Sequence, residues 1–194
     1  ERRCADFCPV DLNANLYIYE TLFARYALLL GDSKAAGTWK ARAEKRRGLI
    51  NRYCLGEDGV YYDYDFVNGR RSTVVSGAVF SLLYARIPDA EQARILVKKA
   101  LGRLEFESGI AVCEHQPYDY DYQWSYPNTW PPVVYLAIRG LDAYGYRQDA
   151  RRIAGKYAAM VVKTFGETHN LWEKYNVREG NINVSNEYDM PTML

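Results

Sequence analysis

Hydrophobic and polar positions divide the chain into six helical segments of two alternating types. Three segments are apolar on nearly every side, and each is followed by a segment with one apolar and one charged face. A helix that is apolar all round is buried, whereas an amphipathic helix lies between core and solvent. The alternation therefore predicts inner helices at residues 11–30, 74–87 and 131–144 and outer helices at residues 33–52, 89–104 and 147–165.

Local signals mark several ends of these helices. Gly31 and Gly145 follow two inner segments and suit the left-handed position after a helix. Asp89 stands three residues before Gln92, which is the spacing of a capping box. Pro131 suits the first turn of a helix, where its missing N–H has no intrahelical partner.

The helix pairs repeat along the chain, which indicates an all-α architecture built from αα-hairpins. A concentric barrel with about three inner/outer pairs explains the pattern best, and a solenoid of helix pairs is the alternative. The long connections favour the barrel, because they can build a site at one end. One connection carries a small predicted β-hairpin, in which residues 60–65 form the first strand and Asn68 and Gly69 form the turn.

Size and charge limit the functions available. A chain of 194 residues supports one core, so we predict a single domain over residues 1–194. The formal charge is +1, which gives no electrostatic reason to expect nucleic acid or an anionic membrane as partner. No stretch of about 18 apolar residues predicts a transmembrane helix. The start reads like the middle of a longer protein, and the compartment stays open with a lean toward the cytoplasm.

Neither a metal nor a cofactor is predicted. Cys4 and Cys8 are spaced four residues apart, but with two histidines in the chain and no second pair of cysteines, thiols are a better interpretation than zinc ligands. Asp63 and Asp65 lack the residues that complete a calcium loop. A phosphate-binding glycine loop and a serine nucleophile motif are also lacking.

Aromatic side chains are unusually abundant in the predicted loops. The chain contains 18 Tyr, 6 Phe and 4 Trp, and the densest polar-aromatic stretch is residues 114–132. Aromatic ring faces stack on the C–H faces of sugars, so this stretch suits a carbohydrate site. A rigid surface loop with aromatic filler is the alternative. A second candidate is Glu173, a carboxylate beside Trp172, although spacing alone favours a solvated Glu173–Lys174 charge pair.

Five blocks of the sequence resemble the trehalase family in the expected order. Residues 123–132 read Q-W-S-Y-P-N-T-W-P-P and are similar to the family signature Q-W-D-x-P-x-(G/A/V)-W-x-P. The other blocks resemble P-V-D-L-N, D-Y-D, E-K-Y-(D/N)-V and G-E-Y, and they occupy residues 9–13, 62–65, 173–177 and 186–188. The matches span nearly the whole chain.

The resemblance implies an (α/α)6 barrel that hydrolyses an α-glucosidic bond, most directly that of α,α-trehalose, with inversion. An inverting glycosidase places a general acid and a general base on opposite faces of the bond. The resemblance assigns the general base to Glu173 and sugar contacts to Gln123, Trp124, Asn128, Trp130 and Glu187. The expected ligand is a small sugar substrate. We expect residues 114–130, 172–176 and 185–189 to meet at the end that carries the N-termini of helices 11–30 and 131–144.

The chain departs from the family pattern at two single positions and in one stretch. Ser125 replaces the aspartate of the signature, Thr129 replaces a small residue, and residues 183–186 replace a run of glycines. The family's general acid lies in an S-G-W-D segment upstream of residue 1, and its G-W-T segment also lies outside the chain. We therefore expect the C-terminal half of a catalytic domain, whose partner is the rest of that domain and which is inactive alone.

These departures leave two other functions open. One is a related (α/α)6 glucosidase that acts on other glucosides or on glycan ends. The other is a helical barrel that binds sugar without catalysis.

Overall fold

The computed structural model describes residues 3–117 and 122–184 and contains six α-helices and seven short strands in that part of the chain. The helices are α1 (Val10–Leu29), α2 (Ser33–Tyr53), α3 (Val79–Tyr84), α4 (Ala90–Leu104), α5 (Pro131–Ala143) and α6 (Arg147–Thr168). The strands are β1 (Phe7–Cys8), β2 (Tyr64–Asp65), β3 (Arg70–Arg71), β4 (Glu105–Phe106), β5 (Gly109–Ile110), β6 (Asn128–Thr129) and β7 (Tyr175–Asn176).

The helix ends follow their local sequence signals. Asp89 and Gln92 form the predicted capping box, with the Asp89 side chain accepting from the Gln92 N–H at 2.8 Å. Gly31 and Gly145 follow their helices with φ of +79° and +84°, a conformation that glycine adopts without steric cost. Pro131 is the first residue of α5. These boundaries are confirmed because short-range sterics and capping bonds decide them.

Helix α3 is shorter than the predicted segment 74–87. Residues 75–77 of that segment pair instead with the chain that leaves β5. The Val75 N–H donates to Glu114 Oε1 at 2.8 Å, and the Glu114 N–H donates to the Val75 carbonyl at 2.9 Å. The Gly77 N–H donates to the Val112 carbonyl at 2.8 Å. The prediction was wrong at this end because these long-range bonds replace the first helical turn.

The inner helices α3 and α5 run parallel and in close contact. Gly77, two residues before α3, lies against Val133, and Gly140, late in α5, lies against Leu83. A Cβ atom at Gly140 would come within 2.8 Å of the Leu83 Cβ and 3.0 Å of the backbone of α3. Glycine at 140 therefore permits the approach, and the parallel packing puts the N-terminal ends of both helices at one end of the fold.

The predicted difference in burial is confirmed for two of the three helix pairs. In the first of these pairs, five of the six residues of α3 are buried, compared with five of the fifteen residues of α4. In the second pair, four of the thirteen residues of α5 are buried, compared with four of the twenty-two residues of α6.

Helix α1 does not follow the predicted burial. Of its twenty residues only Val10, Ala14 and Glu20 are buried, nearly the same proportion as the three buried residues of twenty-one in α2. The described elements that pack closely on it are α2 and α3, and they cover one side of an apolar helix. The helix exposes large apolar side chains, which are Leu12, Tyr19, Phe23, Tyr26, Leu28 and Leu29.

The predicted hairpin is confirmed at its turn, but its first strand is β2 alone and not residues 60–65, and a third strand extends the sheet. β2 and β3 pair antiparallel around a turn in which Gly69 has φ of +64°. The sequence did not predict β1, which adds to β2 with Phe7 opposite Asp65. The N–H of Val10, the first residue of α1, donates to Asp63 Oδ1 at 2.8 Å. The three-stranded sheet thereby sets the start of α1.

In the described part of the chain, the helices lack the combination of length and apolar character that would let one cross a membrane.

Burial raises the pKa of the Cys54 thiol to about 12, so Cys54 is a protonated core residue at neutral pH.

Glu105 links the end of α4 to α6 through two cations. Its carboxylate accepts two hydrogen bonds from the Arg152 guanidinium, both at 2.8 Å, and one from Lys156 Nζ, also at 2.8 Å. Its side chain is 13% exposed. These hydrogen bonds, those from Arg152 first, hold the pKa of Glu105 below its ordinary value.

We predict that Glu105→Gln lowers the free energy of unfolding by about 1–2 kcal/mol at neutral pH, because both cations lose a charged acceptor. Since the folded pKa is depressed, the contribution is present above the unfolded pKa and is lost as the pH falls through the folded pKa. Thermal denaturation across that range should show the two proteins converge in acid. The control Glu91→Gln removes a pair with Arg94 whose side chains are 65% and 60% exposed, and it should leave the melting temperature unchanged. Equal effects of the two substitutions would contradict the prediction.

Candidate active site

Strands β6 and β7 join the aromatic loop to the segment that contains Glu173. The ladder is antiparallel, with Asn128 opposite Asn176 and Thr129 opposite Tyr175. The Val177 N–H donates to the Pro127 carbonyl at 3.0 Å beside the ladder. The same register, continued by one residue, places Trp130 opposite Lys174, and the two side chains are in contact. Residues 114–130 and 172–176, two of the three segments expected to meet, are therefore adjacent.

The backbone carbonyl of Gln123 organises the loop before β6. It accepts from the Asn128 side-chain amide at 3.1 Å and from the Trp130 indole N–H at 3.0 Å. The Ser125 N–H closes the turn onto the Tyr122 carbonyl at 3.0 Å. Two buried side chains thus fix the turn that carries Trp124.

Trp124 and Trp130 form a parallel ring stack. Their ring centroids are 4.6 Å apart and their planes differ by 1°. Trp130 is 9% exposed, whereas Trp124 is 54% exposed, so Trp124 presents a ring to solvent while Trp130 supports it. An exposed, rigidly held indole is a surface on which a sugar ring can stack.

The backbone is anchored on both sides of Glu173. The Trp172 indole N–H donates to Thr168 Oγ1 at the end of α6 at 3.0 Å, and the Trp172 backbone N–H donates to the Tyr175 hydroxyl at 3.0 Å. Tyr175 is itself buried in the ladder. Glu173 is half-buried between these anchors, next to the residue that contacts Trp130. A carboxylate held in this way can act as an acid or base toward a ligand on the ring stack.

Lys174 differs from its sequence interpretation. Spacing alone favours a solvated Glu173–Lys174 pair, but Lys174 is 3% exposed and its ammonium lies 5.6 Å from the centroid of the Trp130 ring. That interpretation was wrong because the ladder, and not the neighbouring residue in sequence, determines where Lys174 lies. The sequence signal that could have revealed it is the alternation of side-chain direction along a strand.

Other predicted site residues have different surroundings. Asn128 is fully buried, and its side chain donates to two loop carbonyls, so a sugar contact by Asn128 stays a prediction. Glu187 lies outside the described residues. Asn176 was missed by the sequence analysis: its carboxamide oxygen accepts from the Arg178 and Glu179 N–H groups at 3.0 Å each and shapes the turn after β7.

Comparison with known proteins identifies the family. A family model described as Trehalase matches residues 1–192. The chain belongs to the trehalase family. A probable trehalase from Eremothecium gossypii is 32% identical over 197 residues, which cover 93% of this chain and 27% of that protein. The neutral trehalase of Saccharomyces cerevisiae has a TM-score of 0.84 and 31% identity, covering 90% of this chain and 35% of that one.

A more distant likeness concerns fold alone. A mannosylglycerate hydrolase of Thermus thermophilus, solved with glucose, has a TM-score of 0.72 at 21% identity and covers 90% of this chain and 43% of that one. The match to the yeast trehalase confirms the expected all-α helical-barrel fold with a small β-hairpin. This member of the trehalase family spans well under half the length of each of these relatives.

We predict that the two stacked tryptophans differ in their contributions. Trp124→Ala should leave the melting temperature nearly unchanged and weaken binding of trehalose or glucose by about 2- to 10-fold, because an exposed ring is lost. Trp130→Ala should also cost about 3–5 kcal/mol of stability, because it empties a buried site and removes the bond to Gln123. Calorimetric titration and thermal denaturation check both effects. Trp39→Ala, which alters a ring packed on Phe23, is the control and should leave sugar affinity unchanged; a loss equal to that of Trp124→Ala would contradict the assignment.

Proposed function

We propose that the protein containing this chain is a glycoside hydrolase that cleaves an α-glucosidic bond with inversion, with α,α-trehalose as the first candidate substrate. Membership of the trehalase family supports the reaction. The observation that carries the site is the β6–β7 ladder, which puts the Glu173 segment beside the tryptophan stack. Glycoside hydrolysis with inversion uses two carboxyl groups on opposite sides of the bond, and Glu173 is proposed as one of them.

In the proposed mechanism Glu173 is the general base. Its carboxylate takes a proton from a water molecule as the water oxygen forms a bond to the anomeric carbon. The bond between that carbon and the glycosidic oxygen breaks, and the leaving oxygen receives a proton from a general acid. No residue of this chain matches the family's general acid. For trehalose the products are two glucose molecules.

The tryptophan stack would hold the glucosyl unit while this happens. Trp124 offers the exposed ring face, and Trp130 fixes its plane from below. Because both rings and Glu173 belong to segments joined by one ladder, the ladder would hold sugar and base in a fixed arrangement. Gln123 lies at the same turn and is proposed to contact the sugar.

We also propose that the chain is part of a larger catalytic domain. The relatives are much longer, with this chain covering 27% of one and 35% of another. The exposed apolar side of α1 is what further helices of the barrel would cover. The rest of that domain is therefore the proposed partner of this chain, and the general acid would come from it.

A second candidate is a related glucosidase with a different substrate. Ser125 replaces the carboxylate of the family signature, so a charged acceptor for sugar hydroxyls is lost at the turn that carries Trp124. Hydrolysis rates on a panel of α-glucosides, including trehalose, separate the two candidates.

We predict that Glu173→Gln in the full-length protein lowers kcat by about 10²- to 10⁴-fold and changes KM little, because an amide cannot take the proton from water. Steady-state kinetics with trehalose measure both parameters. The control is Glu167→Gln, which alters an exposed glutamate near the end of α6 and should retain normal kcat. A Glu173→Gln enzyme with near-normal kcat would exclude Glu173 from the chemistry.

A further inference from the structure

Cys8 and Cys54 lie next to each other beside the strand that contains β2. Cys8, in β1, is paired with Tyr64. Cys54 follows the last residue of α2, and its carbonyl accepts a hydrogen bond from the Tyr62 N–H at 2.9 Å. The tertiary fold thereby brings together two cysteines that are far apart in the sequence.

Backbone hydrogen bonds show that β1 and Cys54 occupy the same edge of this strand. The Phe66 N–H donates to the Asp6 carbonyl beside β1 at 3.0 Å, and the Tyr62 N–H donates to Cys54. The N–H groups at alternate positions of a strand point to one edge, so β1 and Cys54 follow one another along it. Positions two residues apart in a strand are separated by about 6.6–6.8 Å. The Cα atoms of Cys8 and Cys54 are thus spaced near the upper end of the range of about 4.4–6.8 Å that a disulfide spans.

The side chains of Cys8 and Cys54 line the same cavity. It has a volume of about 460 Å³ and lies between the start of α1, the end of α2 and the three-stranded sheet. The rings of Tyr53, Tyr64 and Phe66 line it as well. Two thiols at neighbouring positions that face one cavity can approach each other by rotation about their Cα–Cβ bonds.

The electrostatics of Cys54 indicate the same proximity. Burial is the first cause that raises the pKa of its thiol, and the charges of Asp63 and Cys8 add to the rise. Because the Coulomb interaction between two groups weakens with distance, a contribution from Cys8 indicates that the two thiols are close. Cys54 is 3% exposed, whereas Cys8 is exposed, so a reagent in solution reaches Cys8 first.

The other two cysteines of the chain lie elsewhere. Cys4 belongs to the 3₁₀ turn Cys4–Asp6 that precedes β1. Cys113 pairs with Ser76, close to the start of α3. Among the described residues that line the cavity, the cysteines are Cys8 and Cys54. The cavity therefore selects one pair of thiols.

We propose that Cys8 and Cys54 form a reversible disulfide, and that the cavity is a modification site for a small disulfide oxidant such as oxidised glutathione. The bond would tie β1, which leads into α1, to the end of α2. Because Cys8 is exposed, a reducing thiol can reach the bond, and exposed disulfides are the readily reduced ones. The proposal is independent of the sugar that the candidate active site takes.

The oxidation takes place in two exchange steps. The Cys8 thiolate attacks one sulfur of oxidised glutathione, the S–S bond of that molecule breaks, and the first glutathione leaves as a thiolate that takes up a proton. The Cys54 thiol then loses its proton to solvent, and its sulfur attacks the Cys8 sulfur of the mixed disulfide. The second glutathione leaves and is protonated. Two protein thiols are oxidised, and one glutathione disulfide is reduced to two thiols.

The test maps the disulfide in the full-length protein by mass spectrometry. The protein is incubated with oxidised glutathione, its remaining thiols are alkylated under denaturing conditions, and it is digested with trypsin without reduction. Trypsin releases residues 4–25, which contain Cys4 and Cys8, and residues 53–70, which contain Cys54. These two peptides should be recovered as one linked species that dithiothreitol separates.

Substitutions assign the link to Cys8. Cys8→Ser should abolish the linked species, because the exposed partner of Cys54 is removed. Cys4→Ser is the matched control, since it removes the other cysteine of the same peptide, and it should leave the linked species unchanged. Cys54→Ala should also abolish the link and leave Cys8 as a mixed disulfide with glutathione. If Cys54→Ala does not fold, Cys8→Ser and Cys4→Ser decide the assignment.

Two outcomes overturn the proposal. One is a linked species that survives in Cys8→Ser, which would assign the bond to Cys4. The other is a wild-type protein in which Cys8 carries glutathione while Cys54 stays alkylatable after unfolding. Failure of the proposed function is a separate result: the full-length protein would then hydrolyse no α-glucoside, while the linked peptides and their dependence on Cys8 remain.

Discussion

The pairing of β6 with β7 is the constraint on which the candidate site depends. Two strands of two residues each would not persist alone in water, because so short a ladder cannot offset the loss of chain entropy. Here Asn128, Thr129, Tyr175 and Asn176 are all buried, and the side chains of Asn128 and Asn176 bind the neighbouring backbone. The ladder is stable because the surrounding polypeptide excludes water from it.

Several other features of the site follow from this pairing. The register places Lys174 against Trp130, and Trp130 in turn determines the plane of Trp124. Trp130 also leads directly into α5, whose close approach to α3 through Gly140 sets the direction of both inner helices. The exposed ring of Trp124 is thereby connected to the helical core through Trp130 and α5.

The partly buried carboxylate of Glu105 and the buried ammonium of Lys174 are stabilised differently. Glu105 has three hydrogen bonds from Arg152 and Lys156 and contributes to the attachment of α6. Lys174 has an aromatic face and no described counter-charge. Contact with a ring face offsets part of the free-energy cost of burying an ammonium, whereas charged hydrogen bonds offset more of the cost for a carboxylate.

The sequence by itself determined the features that arise from neighbouring residues. The helix pairs, the capping box at Asp89, the glycine helix ends and the β2–β3 hairpin depend on periodicity and backbone sterics over a few positions, so they could be predicted. The trehalase family resemblance was also accessible, because its motifs are contiguous.

Only the tertiary structure decided which distant segments meet. Residues 75–77 pair with the chain after β5 instead of extending α3, and β6 pairs with β7 across more than forty intervening residues. The apolar pattern of α1 indicated burial, yet the degree of burial depends on which neighbours cover each side. The sequence likewise predicted a solvated Lys174, whereas the pairing of β6 with β7 buries it. Long-range pairing and burial depend on the packing of the whole fold, whereas a local pattern records only the preferences of adjacent residues.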